Sequence, residues 1–185
     1  AFIVGHFQDS GLYEARSAVD IPVVALGEAS MLYCCQLAQR SAIVTINPRF
    51  TPGLHHQIVR YGLRERIVEV AAMRFEPGQM MAAFGSPERT AEVLRLFREQ
   101  AAPLVGAGAE LLLPGGGIPM LLFANEHGHS VSGAPVVNGI EIVVKMAEMV
   151  AAISRRSGLG VSRVADFVKP PAEIIAEYLD NPRPA

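Results

Sequence analysis

The stretch "AELLLPGGGIPML" (residues 109–121) decides how this chain folds. Three leucines, Leu111 to Leu113, form a short apolar run that is typical of a buried strand. The run ends at Pro114 and is followed by three glycines, so the strand leads into a loop with almost no side chains. Such a loop either lets a substrate approach the backbone or simply turns a corner.

Similar short apolar runs, each closed by Gly, Pro or Asn, recur along the chain. They predict strands at 2–5, 21–27, 41–47, 66–73, 109–115 and 134–139. Helical periodicity between them predicts helices at 28–39, 52–61, 87–106 and 139–156. Ser86 is the expected N-cap of the third of these helices, with Pro87 at its first position. Strands that alternate with helices predict an α/β fold with a parallel sheet.

Composition excludes several classes of protein. The chain has 185 residues, of which 50% are hydrophobic and 18% charged, with a net charge of −2. No cluster of basic residues is present to attract nucleic acid or anionic lipid, and no apolar run is long enough for a membrane span. The amino terminus lacks the features of a signal peptide and begins within a predicted strand, so we expect an upstream segment in the natural protein.

Two adjacent cysteines, Cys34 and Cys35, lie in an apolar predicted helix. Neighbouring cysteines do not readily bond to each other, so we expect reduced, unreactive thiols of a cytoplasmic protein. The tail, 156–185, predicts a loop followed by a short docking helix and a frayed end.

Ligands of open parallel α/β sheets bind at the carboxyl ends of the strands. Those ends carry "GHFQDSG", "GEAS", "TINPRF", "PGGGI" and "NG". His6 is the candidate general acid or base among them, because imidazole titrates near neutral pH. The glycines Gly115, Gly116 and Gly117 are candidate backbone donors for an anion.

Each candidate also has a plain structural interpretation. His6 could be a hydrogen-bonded turn residue, "PGGG" a tight turn, and Glu28 a carboxylate that favours the first turn of a helix. The paired histidines of "NEHGH", His127 and His129, lack a third spaced ligand for a metal. We therefore expect them at the surface, as we do His55 and His56 on their helix. The GxGxxG spacing and the Walker lysine are both absent, which argues against a nucleotide site.

In order and spacing, these strand ends resemble the aspartate/glutamate/hydantoin racemase superfamily, in particular its hydantoin-racemase branch. The resemblance is carried by "FQDSGLYEAR", "IPVVALGEASM", "RSAIVTINPRF", "RYGLRER" and "APVVNGIEIVVKMAE", and it covers about residues 1–155. It implies two Rossmann-like parallel-sheet lobes with the active site in the cleft between them. It also implies a homo-oligomer and a small carboxylate or cyclic amide as substrate, with no metal, nucleotide or other cofactor.

The family's mechanism uses two cysteines that face each other across the substrate carbon. One thiolate removes the proton and the other thiol returns one from the opposite side. Here His6 stands at the first cysteine position, and Gly115, give or take one residue, stands at the second. Neither Cys34 nor Cys35 matches either position, so two-thiol racemisation is impossible in this chain.

The resemblance therefore predicts a cofactor-independent enzyme that acts beside a carboxylate or cyclic amide, with His6 as its base. Preorganised backbone donors at Gly115 to Gly117 would stabilise the enolate that forms when the proton leaves. The other predicted substrate contacts are Phe7, Thr45, Asn47 and Arg49. A site with a single base leaves open a lyase, decarboxylase or hydrolase of the same superfamily. The loss of both cysteines leaves open an inactive metabolite-binding homologue.

Overall fold

The computed structural model describes residues 1–75, 77–124 and 128–181. Its strands are β1 (Phe2–Val4), β2 (Val23–Ala25), β3 (Ser41–Thr45), β4 (Ile67–Ala72), β5 (Leu111–Gly115), β6 (Ser130–Val131) and β7 (Ala134–Pro135). Its helices are α1 (Leu12–Ala18), α2 (Leu26–Leu37), α3 (Thr51–Arg60), α4 (Pro77–Ala82), α5 (Pro87–Gly106), α6 (Gly117–Leu122), α7 (Gly139–Ser157) and α8 (Ala172–Asp180).

Five of these strands form two separate parallel sheets. One sheet pairs β1 with β2, and the other has the order β4-β3-β5. The register of β3 against β5 places Ile43 opposite Leu113 and Thr45 opposite Gly115. The predicted α/β class with two parallel sheets is confirmed.

The three-stranded sheet separates two hydrophobic clusters. Ile43 and Leu113 point into one cluster, together with α2 and α7 residues, while Ala42, Val44 and Leu112 point into the other, with α5. Neighbouring residues of a strand face opposite sides of the sheet, and here both sides are covered. This explains why β3 and β5 are apolar at successive positions instead of alternating with polar residues.

The predicted helix at 87–106 is confirmed at both ends as α5. Ser86 is its N-cap, with the Ser86 side chain accepting a hydrogen bond from Arg89 N, and Pro87 occupies the first turn. By contrast, the strand predicted at 21–27 is too long, because α2 begins at Leu26. The amide groups that open α2, at Gly27 and Glu28, donate to the carboxylate of Asp9, a cap that lies far away in the sequence.

The strand predicted at 134–139 forms only in part: β7 covers Ala134–Pro135, and Val136 makes a parallel bridge with Leu112 of β5. The structure has a two-residue antiparallel hairpin of β6 and β7, whose turn places Ser132 and Gly133 at φ +50° and +88°. Two positive φ angles in a two-residue loop are typical of a tight hairpin. Asn138 then caps α7 by accepting a hydrogen bond from Ile140 N. The sequence does not predict the short helices α1, α4 and α6, because six or seven residues are too few to show a helical pattern of apolar positions.

The tail contacts the body through Arg163, Phe167 and Lys169, all of which lie before its helix. The Arg163 guanidinium donates to the carbonyls of Arg16, Ser17, Val19 and Phe167 and to the Asp20 carboxylate. The predicted tail helix forms as α8, yet it buries no side chain. The docking predicted for α8 is therefore made by the segment before it, because Arg163 supplies the donors that these carbonyls need. Within the described residues, no helix is long and apolar enough to cross a bilayer.

Candidate active site

A cleft of about 220 Å³ lies where the two parallel sheets meet at the carboxyl ends of β1, β3 and β5. Most of its lining is apolar. The residues that line it are Gly5, His6, Phe7, Gln8, Ile46, Phe50, Gly115, Gly116, Gly117, Ile118 and Pro119. The structure thus brings His6, Phe7 and the three glycines to one cleft.

The loop after β1 presents His6 at this cleft. The His6 side chain is exposed, and Ser10 Oγ lies 3.4 Å from its Nδ1 atom. Phe7 is only 1% exposed and packs into the core, so it anchors the loop directly behind the histidine. A Cβ placed on Gly117 would lie 3.6 Å from the carbonyl oxygen of Gly5, which shows that the two loops are in contact.

The three glycines have different surroundings. Gly115 is a strand residue, and a Cβ there would lie 2.7 Å from Ile43 Cγ2 in the sheet. Gly116 donates its N–H to Pro114 O, and a Cβ there would meet only the ring of Pro119, at 3.1 Å. Gly117 begins α6, where the first amides have no intrahelical partner. Gly115 is therefore required for packing, while the N–H of Gly117 lies at the first position of α6 and makes no hydrogen bond within that helix.

Three of the predicted contacts, Thr45, Asn47 and Arg49, do not line the cleft. Thr45 is fully buried and donates to Gly115 O at 3.0 Å. Asn47 is 7% exposed, donates to Phe75 O, and accepts from Arg49 N. The side chains of Thr45 and Asn47 support the strand ends from within the protein, because a buried polar group must find a partner there. Arg49 is exposed after β3 and is not among the residues that line the cleft.

Six of the described lining residues were not predicted as contacts: Gly5, Gln8, Ile46, Phe50, Ile118 and Pro119. Ile46 and Phe50 follow β3, and their apolar side chains look like ordinary core residues in the sequence. Ile118 and Pro119 stand directly after the glycines in "PGGGIP", so the sequence does indicate that they lie near the cleft. Gln8 lies next to Phe7 and is half-buried.

The remaining polar candidates lie outside the cleft. Glu28 accepts from Arg16 at 2.9 Å, a partly buried ion pair that agrees with the expected structural role. His55 and His56 are exposed on α3 as predicted, whereas His129 is half-buried with its ring 5.0 Å from that of Phe123. His127 lies outside the described residues. Within the described ranges, no three His, Cys, Asp or Glu side chains are grouped as a metal site.

The two cysteines are on α2, away from the cleft. Cys34 is fully buried and Cys35 is half-buried. Burial raises the pKa of the Cys34 thiol to about 12. The core residues around Cys34 shield its thiol, whereas Leu32 and Leu37 of α2 are 42% and 54% exposed.

Comparison with known proteins identifies the family. The family model described as Asp/Glu/Hydantoin racemase matches residues 1–147. The chain belongs to the Asp/Glu/hydantoin racemase family. This family member is 31% identical over 157 residues to a hydantoin racemase of Pseudomonas sp. (strain NS671), a match that covers 85% of the chain and 60% of the relative. It is 25% identical to a hydantoin racemase of Rhizobium meliloti, with 92% and 66% covered. The predicted family and its hydantoin-racemase branch are both confirmed.

Solved structures show the same fold. The allantoin racemase of Pseudomonas fluorescens superimposes with a TM-score of 0.73 at 21% identity, covering 91% of this chain and 67% of that one. The allantoin racemase from Klebsiella pneumoniae gives a TM-score of 0.68 at 23% identity, covering 91% of this chain and 64% of that one. The racemase-family chain spans only 60% to 66% of the length of the two hydantoin racemases named above.

Proposed function

We propose that this chain provides the catalytic cleft of a cofactor-independent enzyme that removes the proton from the carbon beside a carbonyl of a small cyclic amide. One observation carries the proposal. Among the described residues that line the cleft, His6 is the only one with a titratable side chain, and it shares that lining with the glycine loop. Imidazole is the side chain best suited to take a proton from a weak acid at neutral pH.

Charge favours a cyclic amide over a carboxylate as substrate. Among the described lining residues of the cleft none is Lys or Arg, and most of the lining is apolar. A carboxylate in such surroundings loses hydration without gaining a cationic partner, which is costly. A neutral ring with N–H and C=O groups has a smaller desolvation cost. The names of the relatives, hydantoin racemase and allantoin racemase, support the same choice.

In the proposed reaction His6 accepts the proton, and negative charge develops on the carbonyl oxygen as the enolate forms. The N–H of Gly117 would donate to that oxygen. A preorganised donor of this kind is worth about 3–4 kcal/mol in related oxyanion sites. The protonated imidazole of His6 exchanges its proton with solvent and then protonates the same face of the enolate, which gives isotope exchange with retention of configuration. Inversion requires a second donor on the opposite face.

Proton exchange tests this proposal. The chain is incubated in D2O with single enantiomers of 5-methylhydantoin and of allantoin, with a protein-free sample as control. NMR follows loss of the proton at the ring carbon, and chiral chromatography follows configuration. We expect exchange faster than in the control, and at least as fast as any inversion. Binding of a ring compound without exchange would instead support an inactive metabolite-binding homologue.

A further inference from the structure

The Asp9 carboxylate lies at the centre of a buried hydrogen-bond network behind His6. Asp9 is only 4% exposed, yet four donors reach its two oxygens. Oδ1 accepts from Gly27 N at 2.8 Å and Oδ2 from Glu28 N at 2.7 Å. Oδ2 also accepts from Gln57 Nε2 at 2.8 Å and from Tyr61 Oη at 2.6 Å. A buried carboxylate is costly unless it is bonded in this way.

The same network restrains the backbone that carries His6. Asp9 N donates to His6 O at 2.9 Å, and Gln57 Nε2 donates to Phe7 O at 2.8 Å as well as to Asp9. Asp9 itself has φ +55°, a strained conformation for a residue other than glycine. Such strain persists only where the surrounding contacts over-determine the backbone.

Two further features show how tightly the loop is held. A Cβ on Gly27 would overlap Phe7 O, so the loop lies directly against the start of α2. Gln57 uses its amide nitrogen for the loop and leaves its buried Oε1 atom without a hydrogen-bond partner among the described residues. Burial and the adjacent carboxylate raise the pKa of Tyr61, so its hydroxyl keeps the proton that it donates.

From this geometry we infer that Asp9 and Tyr61 are positioning residues: they hold the His6–Phe7 backbone against α2 and α3 and so set where the imidazole lies in the cleft. Neither residue is among those that line the cleft. This inference rests on the proposed role of His6 as the base. Its consequence is that removing the Tyr61 hydroxyl displaces His6 without removing any group from the cleft.

The test uses Tyr61→Phe and Asp9→Asn, with Tyr33→Phe on α2 as the matched control. The first readout is the imidazole Cε1–H signal of His6 in the full chain, assigned with His6→Gln. We expect this signal to shift or broaden in Tyr61→Phe and in Asp9→Asn but to stay unchanged in Tyr33→Phe. An unchanged His6 signal in both folded network variants would overturn the inference. Should Asp9→Asn fail to fold, Tyr61→Phe decides alone.

The second readout is proton exchange on the ring substrate. We expect Tyr61→Phe to lower kcat by roughly 10–100-fold, the cost of a small misplacement of a catalytic group, with KM within about twofold. An equal change in kcat and in the fraction of folded protein would indicate a merely structural role and contradict the inference. If the wild-type chain shows no exchange at all, the proposed function fails, while the imidazole signal still tests the positioning.

Discussion

The carbonyl oxygen of Phe7 and the Cα of Gly27 lie so close together that no side chain fits between them. A Cβ on Gly27 would overlap Phe7 O and Gln57 Nε2 and would lie 2.8 Å from Asp9 Oδ2. This contact joins the loop after β1 to the start of α2, and it places the candidate base at the edge of the cleft.

Gly27→Ala should therefore destabilise the protein by at least about 1–3 kcal/mol, the usual cost of forcing extra atoms into a packed site. The matched control is Gly53→Ala in α3, where a Cβ would meet nothing within 4 Å. Alanine there should stabilise by up to about 1 kcal/mol, since it favours the helix more than glycine does. Urea unfolding of both variants measures the difference. Equal stability of the two would contradict the close contact.

Gly115 and Gly117 should respond differently to alanine. A Cβ on Gly115 would lie 2.7 Å from Ile43 Cγ2 and 3.1 Å from Thr45 Cβ, whereas one on Gly117 would make ordinary contacts at 3.5 and 3.6 Å. We expect Gly115→Ala to cost about 1–3 kcal/mol and Gly117→Ala less than 1 kcal/mol. Thermal unfolding measures which of the two variants loses more stability. A Gly115→Ala variant that is more stable than Gly117→Ala would show that β5 packs differently.

The same geometry selects the position at which a second thiol fits. A Cβ on Gly116 requires only a small shift of the Pro119 ring, at 3.1 Å, while one on Gly115 is aimed into the sheet. We expect His6→Cys with Gly116→Cys to fold and to be the pair that gains inversion of the ring carbon. The matched pair, His6→Cys with Gly115→Cys, should lose stability. Optical rotation and urea unfolding distinguish them, and inversion by the Gly115 pair alone would contradict this placement.

Cys34 should resist alkylation in the folded protein. Its pKa of about 12 means that almost none of the thiol is ionised at pH 7.5, and the thiolate is the reactive form. Iodoacetamide followed by mass spectrometry should find Cys34 unmodified in buffer and modified in urea, with Cys34→Ser as the control for assignment. Rapid modification of native Cys34 with parallel loss of activity would point to a thiol mechanism instead.

Arg163 should hold the tail against the body. We expect Arg163→Ala to accelerate chymotrypsin cleavage after Phe167 by roughly tenfold or more, because each lost hydrogen bond contributes about 1 kcal/mol. The control is Arg156→Ala, which changes an exposed arginine at the end of α7. Identical cleavage rates in the two variants would show that the Arg163 hydrogen bonds do not hold the tail against the body.

The same contact should depend on pH. Lys169 and Arg163 lower the pKa of Asp20 below its ordinary value. The ionised Asp20 carboxylate therefore stabilises the contact between the tail and the body fully above the ordinary pKa of aspartate. This stabilisation is lost as the pH falls through the lowered pKa. Cleavage after Phe167 by an acid-tolerant protease should rise in that acidic range in the wild type but not in Asp20→Asn.

Local patterns in the sequence predicted what depends on local interactions. Ser86 and Pro87 define the start of α5 because both act on the helix that they precede, and the apolar runs of β3 and β5 reflect a sheet covered on both sides. The start of α2 could not be predicted, because its cap, Asp9, lies in another segment. The sequence also does not reveal that Thr45 and Asn47 donate to the carbonyls of Gly115 and Phe75, because both partners lie far away along the chain.

The cleft was predicted in part for the same reason. His6 and the glycine loop stand at strand ends, where topology brings ligand-binding groups together. Ile46 and Phe50 complete the lining after β3; the strand end "TINPRF" contains both, but their apolar side chains look like core residues in the sequence.

The measurement that tests the central claim most directly is proton exchange at the ring carbon by His6→Ala, compared with wild type and with His55→Ala on the exposed face of α3. We predict a fall in the exchange rate of two to four orders of magnitude in His6→Ala, the usual worth of a general base, with little change in binding of a ring compound. His55→Ala should exchange at the wild-type rate. Full exchange by His6→Ala would contradict the account, because the base would then be a group other than His6.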